Sequence, residues 1–281
     1  MAQPEGTAPM SVLDFDRLER LAGELAPAFA AARPYPHVVI DDFFPEAIAN
    51  SLLADFAIAE DEWKHYYHYN ERKKALTEYD RMPAQTRAVF DALQSPRALD
   101  AVGRLSGISG LISDPDLEGA GMHVVEPGGF LNVHTDFLTH TKRRSWSRHI
   151  NILVYLNKDW QEEWSGNLEL WDDDLTQCVR SIVPVFNRCV IFNTLEKSYH
   201  GHPHKLVCPP DRNRKSLLLY YYRDEGHELG LSSTDYQPLP ADSASRRVMI
   251  ALDRAALRLY TLVKGRTKIS DRLIDRLLRR F

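Results

Sequence analysis

The chain has 281 residues, of which 44% are hydrophobic and 26% charged, and its formal net charge is -4. These values are ordinary for a soluble globular protein built as one large domain, or as one domain with helical additions. The small negative charge gives no reason to expect a nucleic-acid partner. No run of about 18 or more apolar residues occurs, so the sequence predicts no membrane span.

The N-terminus and the cysteines indicate where the protein works. Residues 1–10 contain an acid and two prolines but no basic, apolar leader, so we expect no secretory signal. Cys178, Cys189 and Cys208 are odd in number and are not spaced like a zinc site. Both observations favour a reducing compartment and predict a cytoplasmic protein.

The first part of the chain, residues 1–118, is predicted to be a helical support region of the same domain as the core that follows. Apolar residues at helical spacing predict a helix over 11–32, and residues 37–40 are short and β-rich. A second helix is expected from Pro45 to about residue 59. Two more should fill 83–106, where Pro83 suits a first helical position.

Residues 61–82 differ in kind, because aromatic residues crowd their first half. The sequence predicts a loop or an edge strand that exposes them. One interpretation is a lid that grips the substrate, which makes Tyr67 and Tyr69 candidate substrate residues. The other is an aromatic edge packed on the core, and the sequence does not decide between them.

From about Gly119 the apolar pattern changes to the period of two that is typical of strands. The fold class is therefore predicted to be a mostly β core with flanking helices (α+β), with the core at 119–223. Many short strands separated by turns favour a sandwich or barrel over alternating βαβ units. The candidate strands are 120–126, 130–135, 148–157, 166–171, 178–185, 188–193 and 215–222.

The last part, residues 224–281, is predicted to be a helical extension that begins after Pro240. Its residues 246–281 hold eleven Lys and Arg against three Asp. Such a surface could bind an anionic partner, lie on a membrane or support a dimer. A solvated basic face is the interpretation that the composition favours.

One motif carries most of the functional information. His134 and Asp136 in a predicted strand would project to the same side, since the side chains of a strand alternate with period two. With a third ligand from farther along the chain, two imidazoles and a carboxylate can hold Fe(II) and leave open positions. Three histidines, His200, His202 and His204, lie together as candidates for that ligand, and His140 is a rival only if its turn folds back.

A basic residue follows at the start of the last candidate strand. There, Arg214, Ser216, Leu218 and Tyr220 would share one face, and a buried guanidinium offers a planar fork for a carboxylate. Tyr155 could add its hydroxyl to the same carboxylate. Arg212 and Lys215 compete with Arg214, but Lys215 would face the other way.

Two residues near the motif are candidate substrate residues. Arg148 could bind substrate or cap a strand edge. Trp146 follows the basic run 142–144, in the loop that follows the predicted metal strand. A solvated basic loop is the competing interpretation of that run.

Taken together, these residues resemble the iron(II)/2-oxoglutarate dioxygenases of the prolyl 4-hydroxylase type. The resemblance covers about 119–223, and the motifs stand in the family's order. His134, Asp136 and His200 match the iron triad, with His200 preferred because His-Gly-x-Pro is the family's pattern. Arg214 matches the basic residue for the distal carboxylate of 2-oxoglutarate.

Two strand motifs extend the resemblance, and two positions depart from it. The sequence of 155–160 looks like a strand end of the hypoxia-sensing branch, whose tyrosine, here Tyr155, also touches the cosubstrate. The sequence of 165–171 resembles the family's Gly-Gly-x-Leu strand, with Ser165 where glycine is usual. Glu126, or nearby Val124, stands where some relatives carry a cosubstrate tyrosine.

The resemblance implies a double-stranded β-helix (jelly-roll/cupin-like) with N-terminal and C-terminal helices. It also implies Fe(II), with 2-oxoglutarate and O2 as cosubstrates and ascorbate as a further candidate. Arg214 and Tyr155 would hold one end of 2-oxoglutarate while its 2-oxo acid end chelates the iron. Because Asp136 supplies a carboxylate ligand, no site is left for halide, and hydroxylation is favoured over halogenation.

The leading hypothesis is a dioxygenase that hydroxylates an unactivated C–H bond, with a prolyl-type substrate by analogy only. One alternative is hydroxylation of a free amino acid or another small metabolite. A non-catalytic metal-binding sensor or scaffold is another, although an intact triad and Arg214 argue against it. A zinc or manganese hydrolase of cupin shape would leave Arg214 without a role.

Overall fold

The structure, a computed structural model, describes residues 11–266, with side chains to residue 256. The part of the basic extension beyond residue 266, and the ten residues used to predict the absence of a leader, lie outside it. Five helices are described: α1 (Phe15–Ala31), α2 (Glu46–Ala54), α3 (Ala84–Leu93), α4 (Pro96–Ser106) and α5 (Ala244–Arg266). None of them has both the length and the apolar character that crossing a bilayer requires.

Thirteen strands form the rest of the described core, and all belong to one curled sheet. Their bounds in chain order are β1 (His37–Ile40), β2 (Lys64–His68), β3 (Glu71–Leu76), β4 (Ile112–Ser113), β5 (Gly121–Val125), β6 (Phe130–Thr135), β7 (Trp146–Tyr155), β8 (Leu168–Trp171), β9 (Cys178–Ile182), β10 (Arg188–Asn193), β11 (His200–His202), β12 (Arg214–Asp224) and β13 (Asp235–Tyr236).

The sheet has two layers, which β3 joins. The larger layer runs β1-β10-β7-β12-β5, and the smaller one runs β6-β11-β8-β9. β3 pairs with β5 through Lys74–Leu76 and with β6 through Glu71 and Arg72, so it bridges the layers at one edge. All these pairings are antiparallel. Side chains from both layers therefore face each other across one interior.

Alternation along β7 and β12 separates two environments. Ile150, Ile152 and Val154 of β7 point outward into the main apolar core, which the helices cover. The residues between them, such as Asn151 and Leu153, point into the interior cavity. On β12 the predicted set Arg214, Ser216, Leu218 and Tyr220 lines that cavity together, which confirms the shared face.

The helices begin and end where their capping residues allow. The Asp14 carboxylate accepts the backbone N–H of Arg17 at 2.9 Å and caps α1. Ser95 caps α4, and Pro96 stands at its first position, where no N–H is needed. Gly107, with φ +71°, ends α4 in the left-handed region that favours glycine. Both helices then pack against each other over the apolar face of the sheet.

Most predicted elements appear within a few residues of their expected bounds, with two differences. The second helix ends at Ala54 instead of about residue 59, and the strand predicted over 178–185 ends at Ile182. Pro184 has no backbone N–H to donate to a neighbouring strand, which explains the early end. The aromatic segment 61–82 contains the hairpin β2–β3, so it is an edge strand rather than a loop. The predicted division at residues 118 and 223 remains a prediction.

Candidate active site

Three predicted metal ligands converge at one end of the cavity. His134 lies near the end of β6 and His200 opens β11, and the two are direct partners in the strand register. Asp136 follows β6 by one residue. One ligand atom from each side chain lies within 4.8 Å of the other two. The antiparallel pairing of β6 with β11 thus joins ligands that are 66 and 64 residues apart in the sequence.

The hydrogen bonds of the two imidazoles fix which nitrogen is available. His134 Nδ1 lies 2.8 Å from the carbonyl of Asn132, and His200 Nδ1 lies 2.9 Å from the carbonyl of Ser198. Because a carbonyl only accepts, both Nδ1 atoms carry the proton, and both Nε2 atoms present a lone pair. These Nε2 atoms face Asp136, at 3.6 Å from Oδ1 for His134 and 3.4 Å from Oδ2 for His200. This is the arrangement that a metal-binding histidine requires.

Burial and charge keep His200 and Asp136 in the protonation states that metal ligands require. Burial lowers the pKa of His200 to about 4 although Asp136 opposes the shift, so the imidazole is neutral at neutral pH. Burial would by itself raise the pKa of Asp136, but the nearby charge of Arg148 holds it well below its usual range. His200 therefore offers a neutral nitrogen and Asp136 a carboxylate without prior loss of a proton.

Asp136 is held by two neighbours from β7. Asn151 Nδ2 donates to Oδ2 at 2.7 Å, and Arg148 Nη2 lies 3.0 Å from the same oxygen. Arg148 also donates from Nε and Nη2 to Asn151 Oδ1, at 2.9 and 2.7 Å. The carboxylate orientation is thus fixed by a buried network.

Arg148, a predicted substrate residue, lies at the same end of the cavity. Its guanidinium carbon lies 3.3 Å from the ring centroid of Tyr220 and 4.8 Å from that of Phe137. Its Nη1 is buried and has no hydrogen-bond partner among the described residues. Arg148 is therefore part of the cavity wall and does not cap an exposed strand edge.

Arg214 lines the other end of the cavity, and Tyr155, which is not among the lining residues, is hydrogen-bonded to it. Arg214 is buried at the start of β12, and its Nε donates to the carbonyl of Gly166 at 2.7 Å. Its Nη2 donates to the hydroxyl of Tyr155 at 3.2 Å. Neither partner is an anion, so the positive charge of Arg214 is not neutralised by the groups that hold it. Burial correspondingly lowers the pKa of Arg214, against the opposing effect of Tyr155.

The turn before β8 approaches Arg214 closely. A Cβ at Gly166, which has φ +82°, would lie 3.1 Å from Arg214 Cδ. Ser165, which stands where the resemblance expects glycine, has φ +63° and is a non-glycine residue in that region. Glu126, the other departure, binds Lys74 Nζ at 2.7 Å, while Val124 is in the apolar core. Neither Glu126 nor Val124 lines the cavity.

Sequence reasoning missed three side chains that line the cavity. Lys73 reaches it from β3 and pairs with Glu71 at 2.9 Å. His123 on β5 and His202 on β11 are also buried and line the cavity. Burial lowers the pKa of both imidazoles well below the usual value. The alternation of β5 indicates which face His123 is on, but not what lies opposite it.

The other two rival histidines, His204 and His140, do not line the cavity. His204 is exposed, with its Nε2 3.4 Å from Glu169. His140 is buried, with Nε2 3.2 Å from Asp114 and Nδ1 3.0 Å from Glu118. Its two nitrogens bind groups on different sides, so this cluster fixes the loop after Asp136 and does not join the triad.

Three predicted substrate residues are not among the residues that line the cavity. Trp146 packs on His140 and Tyr222, with ring centroids 5.6 and 6.1 Å away. Tyr67 and Tyr69 are exposed on the β2–β3 hairpin, at 66% and 39% of their surface. A role in substrate binding for these three residues stays a prediction.

Comparison with known proteins agrees with this geometry. Residues 120–223 match the family model described as the 2OG-Fe(II) oxygenase superfamily. Mouse (Mus musculus) prolyl 3-hydroxylase OGFOD1 is 26% identical over 215 residues, which are 73% of this chain and 35% of the mouse protein. The match thus spans about a third of that relative's length.

Solved structures show the same fold. A prolyl hydroxylase from Trichoplax adhaerens, in complex with a peptide fragment of the hypoxia-inducible factor, superposes with a TM-score of 0.51 at 16% identity, covering 75% of this chain and 92% of that one. A prolyl 4-hydroxylase from Phytophthora capsici also gives 0.51, at 21% identity, covering 77% and 67%. The predicted double-stranded β-helix is confirmed. Residues 120–223 of this chain are thus similar to the 2OG-Fe(II) oxygenase superfamily.

Proposed function

We propose that this protein is an iron(II)- and 2-oxoglutarate-dependent dioxygenase that hydroxylates an unactivated C–H bond. The single observation that carries the proposal is the content of one cavity. Two imidazoles and a carboxylate converge at one end, and at the other lies a buried arginine that has no acidic partner among the described residues. A metal site alone would leave the charge of Arg214 unexplained.

His134, Asp136 and His200 would hold Fe(II). This donor set of two histidines and one carboxylate is the one that non-heme iron oxygenases use. Bound iron, 2-oxoglutarate and O2 would together supply the oxidant for a C–H bond: one oxygen atom of O2 would enter the substrate and the other succinate, with release of carbon dioxide. Ascorbate is a further candidate cofactor.

The chain's own residues bind, orient and shield. Arg214 and Tyr155 would bind the distal carboxylate of 2-oxoglutarate, since the guanidinium presents N–H donors in a region from which water is largely excluded. Asn151 and Arg148 keep the Asp136 carboxylate in one orientation. The part of the cavity between the triad and Arg214 is lined by apolar side chains that exclude water from it, namely Leu153, Leu168 and Leu218.

A prolyl residue is the substrate class we propose first. The mouse relative is named a prolyl 3-hydroxylase. One structural relative is named a prolyl 4-hydroxylase, and another is a prolyl hydroxylase in complex with a peptide fragment. These names agree on the prolyl ring and differ on the carbon. If the substrate is a peptide, the exposed Tyr67 and Tyr69 on the hairpin are candidates to contact its flanking residues.

A free amino acid or another small acid is the second candidate, and Arg148 is the observation that favours it. Its buried Nη1 lines the cavity near the triad and has no partner among the described residues. A substrate carboxylate would supply one. A non-catalytic metal sensor is the third possibility, and it gives no role to Arg214.

Anaerobic titration with Fe(II) and 2-oxoglutarate tests the proposed activity. A weak charge-transfer absorption in the visible range should develop in the wild type and in His204→Ala, whose imidazole is exposed, and it should be lost in His134→Ala. Its absence from folded wild-type protein would overturn the proposal. Succinate release measured with prolyl peptides and with free amino acids would then distinguish the two substrate classes.

Three wider properties are proposals of the same kind. We place the protein in the cytoplasm, because Cys178, Cys189 and Cys208 are all free thiols. Residues 1–118 and 224–281 are taken as additions that support the core at 119–223. The helix α5 is a candidate dimer surface, since Val248, Met249 and Leu252 are exposed on it.

A further inference from the structure

Among the described residues, most buried side-chain nitrogens that lack hydrogen-bond partners belong to residues that line the cavity, and Gln85 Nε2 is the exception. Three atoms of this kind belong to residues that line it, namely His123 Nε2, His202 Nδ1 and Arg148 Nη1. Each is inaccessible to bulk water and has no hydrogen-bond partner among the described residues. Buried polar atoms are nearly always hydrogen-bonded, so a group of unpartnered ones around one cavity indicates that a ligand supplies the partners.

The two histidines come from opposite walls. His123 on β5 is the register partner of Ser216, which stands two residues after Arg214 on β12. His202 stands two residues after His200 on β11, and it pairs with Leu131 of β6. A molecule that reaches from the triad to Arg214 therefore passes between a wall that carries His123 and a wall that carries His202.

The chemistry of both side chains suits an acidic molecule. An imidazole carries at least one N–H donor in either of its ordinary protonation states. Lys73 and Arg214 line the same cavity, so two basic side chains face the space that the acid would occupy. A 2-oxo diacid has five oxygen acceptors, two on its distal carboxylate and three at its 2-oxo acid end, and each oxygen can accept more than one hydrogen bond.

We propose that His123 and His202 are additional binding residues for the 2-oxo diacid, each donating a hydrogen bond to its oxygen atoms between the triad and Arg214. The inference rests on the proposed function, because it requires 2-oxoglutarate to occupy this cavity. It adds to that function a pair of specificity-determining residues. The pair would favour a dianion over 2-oxo acids that lack a second carboxylate.

The test measures binding instead of turnover. The dissociation constant of 2-oxoglutarate is obtained from the anaerobic charge-transfer titration, and that of Fe(II) from a separate titration without 2-oxoglutarate. His202→Leu and His123→Leu remove the N–H donors and replace each imidazole by an apolar side chain of similar size. His204→Leu is the matched control, since that imidazole is exposed and lies outside the cavity.

Each leucine variant should bind 2-oxoglutarate with an affinity about tenfold lower or more, the usual effect of losing one hydrogen bond to a charged group. The affinity for Fe(II) should stay within about threefold of wild type. Rescue by amides should follow the unpartnered atom. His202→Asn places an amide near the Nδ1 position and should recover most of the affinity, whereas His123→Gln should do so through the Nε2 position.

Two outcomes would overturn the inference. Unchanged 2-oxoglutarate affinity in both leucine variants would mean that ordered water, and not the diacid, satisfies the two imidazoles. Equal losses of Fe(II) and 2-oxoglutarate affinity, without rescue by the amides, would mean that the histidines only support the triad. Wild-type protein that binds Fe(II) but no 2-oxoglutarate would contradict the proposed function itself, which separates the two failures.

Discussion

The guanidinium of Arg148 lies against the carboxylate of Asp136, with 3.0 Å between Nη2 and Oδ2, and both groups are largely excluded from water. Removing one partner of a buried charge pair lowers the free energy of unfolding strongly, because the remaining charge stays buried without that partner. Asp136 is also one of the three groups that would hold iron. Stability and metal affinity should therefore both depend on Arg148.

Arg148→Met tests this dependence. Without metal, we expect the free energy of unfolding to fall by about 3–5 kcal/mol, because the Asp136 carboxylate loses its buried partner. The affinity for Fe(II) should fall roughly 10–100-fold, as when a supporting residue of a metal ligand is removed. Urea denaturation and metal titration measure the two effects.

Arg188→Met provides the control for that experiment. Arg188 forms a comparable pair with Asp41 at 2.6 Å, but Asp41 is mostly exposed. Its loss should cost at most about 1 kcal/mol and leave metal binding unchanged. If both variants lose the same stability, the burial of the Arg148 pair has no special effect and the argument is wrong.

Glu225 should make stability depend on pH. The hydrogen bonds from Arg223 and Ser147 lower the pKa of Glu225 from 4.5 to about 2. Since the folded state lowers this pKa, its contribution is present above pH 4.5 and is lost as the pH falls towards about 2. The group is close to solvent, so its full contribution should be about 1 kcal/mol.

Glu225→Gln should therefore be less stable than wild type at pH 7, and the difference should shrink between pH 4.5 and pH 2. Urea denaturation at a series of pH values measures it. Glu196→Gln, at an exposed position, should show no comparable trend. A difference for Glu225→Gln that stays constant down to pH 2 would contradict the assigned partners.

The sequence predicts what lies close to a motif or follows from alternation. His134 and Asp136 are recognisable from their spacing, and His200 from the His-Gly-x-Pro pattern. The inward face of β12, from Arg214 to Tyr220, follows from period two alone. These features require only local geometry, which a short stretch of residues specifies.

The remainder depends on which distant strands meet. Lys73 enters the cavity because β3 pairs with both β5 and β6, a long-range register that no local pattern specifies. His123 and His202 have the same sequence signature as core histidines, and only the opposite wall distinguishes them. Trp146 packs on His140 because Asp114 and Glu118 fix that loop, which is also a non-local relationship.

Arg214 should determine the affinity for 2-oxoglutarate without changing the affinity for Fe(II). Arg214→Met removes the charged fork, and the binding free energy should weaken by about 2–5 kcal/mol. Arg214→Lys keeps the charge but not the planar donors, so it should recover only part of the loss. Isothermal titration with 2-oxoglutarate on the Fe(II)-loaded protein under anaerobic conditions measures both.

The neighbouring Arg212 is a suitable control, since it is partly exposed and lies in the preceding loop. Arg212→Met should bind 2-oxoglutarate like wild type. Full affinity in Arg214→Met would remove the basis for placing the distal carboxylate at this end of the cavity.

Gly201 should be essential for bringing the two histidine ligands together, although it offers no side chain. It lies between His200 and His202 on β11, and a Cβ there would come within 2.9 Å of the backbone carbonyl oxygens of Leu131 and Asn132 on β6. Backbone cannot move aside as a flexible side chain can. Gly201→Ala should therefore push β11 away from β6 and separate His200 from His134.

We expect Gly201→Ala to lose about 1–3 kcal/mol of stability through overpacking and to bind Fe(II) at least tenfold more weakly. Gly23→Ala is the matched control, because a Cβ at Gly23 meets nothing within 4 Å and the residue lies inside α1. That variant should gain roughly 0.5–1 kcal/mol from the better helix propensity of alanine. Denaturation and metal titration of both variants measure the contrast. Wild-type Fe(II) affinity in Gly201→Ala would show that the triad tolerates a wider gap between the two strands than their close approach implies.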